Sequence, residues 1–135
     1  MLVEAVGGGV VSALTTHLLK WVTNLRRAGE NRKNESRDSL KRVILTVRKT
    51  SVYCRALDEG QPKNYDKEAE ISAQWTGLAM ELDRLKLEKL AKKCRVKGWY
   101  WEDQGRFDSE FLKHAQVSFK QVEDLATQLL KEIDA

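Results

Sequence analysis

Apolar residues recur every three or four positions along four long stretches of this chain, and its one proline, Pro62, falls between two of them. That interval lines apolar side chains along one face of a helix, whereas a strand needs strict alternation. The first stretch carries Val3, Val6, Val10, Leu14, Leu18, Trp21, Leu25 and Ala28. The second carries Leu40, Ile44, Val47, Ser51, Cys54 and Asp58, widened by Val43 and Leu57. A strand is excluded there because Val43, Ile44 and Leu45 are consecutive. The third carries Ile71, Trp75, Leu78, Leu82 and Leu85, extended by Leu90 and Cys94. The fourth carries Phe111, Ala115, Ser118, Val122, Leu125, Leu129 and Ile133, with Phe119 and Leu130 beside them.

The punctuation fits this division. Gly29 is the expected stop for the first helix, and the polar run 29–37, which contains no apolar anchor, is expected as a loop or as a frayed, solvated continuation of that helix. Asn34 or Ser36 suits the N-cap of the second helix, and Asn64 that of the third. Gly60 ends the second helix and Gly98 the third. Asp108 is the expected cap of the fourth, with Phe107 and Leu112 spaced as a hydrophobic staple. The pattern predicts helices over about 2–28, 37–59, 65–97 and 109–133. Four amphipathic helices of similar length with short connections imply an all-α, antiparallel up-down-up-down four-helix bundle, one domain over 1–135.

Net charge is +4, too modest to define a nucleic-acid binder by itself. Its distribution is uneven. Residues 20–55 hold eleven Lys or Arg against three Asp or Glu, and residues 84–99 hold seven against one. Residues 56–83 and 100–135 are acidic. In a four-helix bundle the end of helix one, the start of helix two and the end of helix three share one pole. Arg26, Arg27, Arg32, Lys33, Arg37, Lys41, Arg42, Lys92, Lys93, Arg95 and Lys97 would gather there. Asp58, Glu59, Asp66, Glu68, Glu70, Glu132 and Asp134 would gather opposite.

No catalytic, cofactor-binding or metal site emerges. His17 and His114 belong to no Glu-x-x-His pair. Arg106 and His114 are separated by seven residues and do not make a convincing nuclease pair. Cys54 and Cys94 are expected as reduced thiols too far apart to bridge. Gly7-Gly8-Gly9 lacks the Lys-Ser or Lys-Thr of a phosphate loop. Trp99, Tyr100 and Trp101 stand out, because three consecutive large aromatics cannot all enter one core. Some should cap the bundle, and the remainder is a candidate interface.

The reading that follows is a non-enzymatic helical interaction module without cofactor, self-associating or a subunit of a larger complex. A protein partner is expected, a second copy first of all, and a cytoplasmic location. One alternative is binding of an anionic polymer, nucleic acid included, through the basic pole: Arg26, Arg27, Arg37, Lys41, Arg42, Lys92, Lys93, Arg95 and Lys97. Another is membrane association through the apolar first segment, which is interrupted by Glu4 and contains three glycines. Helix one is expected to complete the bundle instead, so deleting residues 1–20 should make the chain aggregate or lose cooperative unfolding.

Overall fold

The structure, a computed structural model, describes residues 13–104 and 109–134. Five helices lie in those residues: α1 Ala13–Arg26, α2 Glu30–Asp58, α3 Tyr65–Arg84, α4 Glu88–Glu102 and α5 Ser109–Asp134. The all-α class is as expected, but the fold is not a simple four-helix bundle.

The difference originates at Lys86. The third stretch, expected as one helix over 65–97, is two helices that double back on each other. Lys86 adopts the left-handed conformation, with φ of 69°. Its N–H donates to the Asp83 carbonyl, and the Leu87 N–H donates to Leu82 at 2.8 Å. These two bonds and the buried Leu82–Leu87 pair define a Schellman stop. The apolar stripe explains why the chain turns. It steps by three or four as far as Leu85 and then by two to Leu87. Residues two apart face opposite sides of a straight helix, yet Leu85 and Leu87 are both fully buried. Only a reversal lets both reach the core.

Gly98, expected to end a helix, lies inside α4. A Cβ there would sit 2.5 Å from Thr76 Oγ1 and 3.3 Å from the Ser72 carbonyl oxygen. The glycine therefore lets α4 close on α3, where Ser72 Oγ donates to the Gly98 carbonyl at 2.7 Å.

The polar run after Gly29 is neither a loop nor a continuation of α1 but the first turns of α2, with Gly29 at its N-cap. Its inward positions are small and polar, Ser36 and Ser39, and both are buried. Ser36, Thr46 and Thr50 each donate to the carbonyl four residues earlier, so their hydroxyls are satisfied within α2. The inward face of α2 consequently runs Leu40, Val43, Thr46, Val47, Thr50 and Tyr53, while Ser51 and Asp58 are exposed.

Other expectations hold. Asn64 caps α3, its side chain accepting from the Lys67 N–H at 3.0 Å. Gly60, with φ of 93°, ends α2. Val122, Leu125, Leu129 and Ile133 are the buried face of α5. The glycine run at 7–9 and the residues Phe107 and Asp108 lie outside the described residues, as do the side chains of His17, Phe111, Leu112 and His114.

Cross-helix bonds fix the directions. Arg37 pairs with Asp134 and Arg48 with Glu123, so α2 and α5 are antiparallel. Glu35 meets Arg84 and Tyr53 meets Glu68, so α2 and α3 are antiparallel as well. The core between them holds Leu40, Ile71, Trp75, Leu78, Leu82, Leu90 and Leu129. α1 packs against α2, α4 and α5 through buried Trp21, Val22 and Leu25.

Candidate functional site

The turn at Lys86 inverts the direction of everything after it. Lys92 to Lys97 run away from the α1–α2 junction, and the end of α5 returns to it. Glu132 and Asp134, expected at the opposite pole, therefore meet Arg26 at 3.0 Å and Arg37 at 2.8 Å. Arg84 pairs with Glu35 and Glu81, and Arg95 with Asp83. Arg27 is exposed nearby, Lys41 and Arg42 are exposed further along α2, and Lys92 and Lys93 lie on α4. The nine residues assigned to one basic patch are thus divided among different helices and partners.

Lys97 is buried. Its ammonium lies 4.3 Å from the Phe119 ring centroid and 5.8 Å from that of Trp75. Burial pushes it down to about 8, overriding the aromatic faces, which favour the cation. Neighbouring Cys94 is pushed up to about 12 by the same burial. Burial also raises Cys54, helped by Asp58 and Glu68. Both thiols are free and held in the protonated form, the opposite of what a nucleophile needs.

The three consecutive aromatics are parted by helical rotation. Trp101 turns inward and packs edge-on against Tyr53, with ring centroids 5.7 Å apart, and against Tyr100 at 5.1 Å. Trp99 turns outward and is 46% exposed. Beneath them, buried Glu68 accepts from Tyr53 Oη at 2.6 Å and from Gln104 Nε2 at 3.3 Å. The Asn64 N–H donates to Tyr53 Oη at 3.0 Å. Both Glu68 oxygens are engaged by protein donors, which ties the end of α2 to the start of α3. The buried indole N–H of Trp101 has no acceptor among the described residues.

Beside this cluster runs an open groove of about 980 Å³ between α3 and the second half of α4. Ala69, Ala73 and Gly77 recur every four residues along its α3 side. Tyr65 and Met80 stand at its two ends, 76% and 70% exposed, and Trp99 borders it from α4. Glu102, Asp103 and Lys63 are the exposed charged residues that line it. A Cβ on Gly77 would meet no atom within 4 Å, so no packing inside the chain requires glycine there. The sequence pointed to Trp99, but the groove needs Tyr65, Gly77 and Met80 as well. Their signal was the second face of α3, small and apolar where a solvated face is usually charged.

Among the described residues no group of three metal-ligating side chains converges, and no helix is long and apolar enough to cross a membrane. Family models, curated proteins and solved structures offer no match to this chain.

Proposed function

We propose that this chain is a non-enzymatic helical interaction module whose docking surface is the α3–α4 groove. The observation that carries the reading is the second face of α3. It presents Tyr65, Ala69, Ala73, Gly77 and Met80 to open space beside exposed Trp99. Glycine in mid-helix costs about 1 kcal/mol against alanine, and Gly77 returns nothing to the packing of its own chain. A floor of small side chains admits a close backbone, and Tyr65 to Met80 spans roughly 22 Å at 1.5 Å per residue, the length of a four-turn helix. Helix-in-groove recognition uses apolar anchors of this spacing. Both oxygens of Glu68 are engaged and both thiols are held protonated, which supports a binding role over a chemical one.

Photo-crosslinking in the producing cells tests this. A photoreactive residue in place of Met80 should give an adduct, and Gly77→Arg, which fills the floor, should abolish it. An adduct that persists with Gly77→Arg, or no adduct at position 80, contradicts the reading.

A further inference from the structure

Resting on the groove reading above, we infer that the helix received is the outer face of α2 from a second copy of this chain. Residues 41–55 contain five basic side chains and no acidic one. On the exposed side of α2 this stretch presents Lys41, Arg42, Leu45, Arg48, Val52 and Arg55 at helical spacing. Leu45 is 64% exposed and Val52 is 56% exposed, one above the other on the same side. Glu123 answers Arg48, Glu70 answers Lys49, and Arg55 lies 3.9 Å from Glu59. Lys41 and Arg42 have no ion pair within 4 Å among the described residues. The ridge therefore remains positive around two apolar anchors.

The groove is its complement. Its floor is small, with Ala69, Ala73 and Gly77 beside Ser72 and Thr76, its borders are Tyr65, Met80 and Trp99, and its exposed charges are net acidic, Glu102 and Asp103 against Lys63. Lys41 to Arg55 spans roughly 21 Å, close to the roughly 22 Å of the groove at the same rise per residue. Ridge and groove sit on different faces of one molecule, so neither can satisfy the other within a chain. Contact between two unlike surfaces is heterologous. It propagates from copy to copy unless rotation closes a ring. Opposite charges steer the encounter, and apolar anchors hold it.

Two half-blocked full-length variants test this. Gly77→Arg fills the groove and leaves the ridge. Leu45→Glu with Val52→Glu disables the ridge and leaves the groove. Circular dichroism and a cooperative melt confirm that each is folded, as expected for substitutions at open positions. In sedimentation velocity the unaltered chain should give species whose mass grows with concentration and falls with added salt. Each variant alone should be a monomer, with self-association weakened at least about tenfold. An equimolar mixture should stop at a dimer, because only one ridge and one groove remain competent. A mixture that stays monomeric, or a variant that associates as the unaltered chain does, overturns the inference. So does a strictly monomeric unaltered chain. An adduct at position 80 that Gly77→Arg removes would then still uphold the groove, leaving a different protein as its occupant.

Discussion

At one end of the molecule the Leu85 carbonyl, at the C-cap of α3, receives two donors from other helices: the indole N–H of Trp21 at 2.8 Å and the Arg32 guanidinium at 3.0 Å. Ion pairs from Arg26 and Arg37 to the end of α5 close the same region. At the other end, around Asn64, the Trp101 indole N–H is buried without an acceptor among the described residues, and large apolar side chains face outward. An unsatisfied buried donor costs about 1–3 kcal/mol. The first end is completed by the chain itself. The second has its polar frame built from Tyr53, Glu68 and Gln104, and then leaves an apolar groove beside it uncovered. The contrast separates side chains that hold the fold from side chains held by it.

Truncating a tryptophan at each end should break the symmetry most visibly. Trp21→Ala removes a buried ring and its hydrogen bond, and should cost about 3–5 kcal/mol in urea unfolding. Trp99→Ala, at the exposed border of the groove, should change stability by less than about 0.5 kcal/mol. Similar losses at both positions would mean that the groove is part of the structural core.

Two glycines sharpen the same division. Gly98→Ala forces a Cβ against Thr76 and the α3 backbone, so it should destabilise by about 1–3 kcal/mol. Gly77→Ala faces open space and should stabilise by up to about 1 kcal/mol through helix propensity. Thermal melts of the two variants should move in opposite directions. A fall in both would show that Gly77 serves packing within the chain.

The smallest effect lies between the ends, at Lys97. Its folded value near 8 is below that of an unfolded lysine, so above pH 8 the unfolded chain binds the additional proton. Stability should then rise with pH, by about 1 kcal/mol between pH 8 and 9. Raised Cys94 acts in the opposite sense above its ordinary range, so the comparison is with Lys97→Met, which retains Cys94. The gap between the two proteins should narrow as pH rises. A constant gap would show that the ammonium is not penalised by its burial.

The same helix stop occurs twice, and only one copy was legible. After α2 it is written with Gly60, the residue that left-handed geometry favours. After α3 it is written with Lys86, which reads as ordinary helix inside a Leu-, Glu- and Lys-rich run. The two-residue step from Leu85 to Leu87 was the available signal. A single helix over 65–97 reverses the directions of α4 and α5, and with them the charge poles. The inward face of α2 was displaced for a different reason: Ser36, Thr46 and Thr50 are buried because their hydroxyls bond back to their own helix, which apolar spacing does not register. The buried face of α5 from Val122 to Ile133 is legible because its inward positions, Val122, Leu125, Leu129 and Ile133, are all apolar. Of the groove, only the aromatic border at Trp99 stood out in the sequence. Its α3 side depends on which face α4 leaves uncovered.

Whether another helix covers the α3–α4 groove is decided by hydroxyl-radical footprinting of the same chain in two settings. In dilute purified protein, Tyr65, Met80 and Trp99 should be readily oxidised and Trp21 protected. In the producing cells Tyr65, Met80 and Trp99 should become protected together while Trp21 is unchanged. Equal oxidation of those three residues in both settings would contradict it.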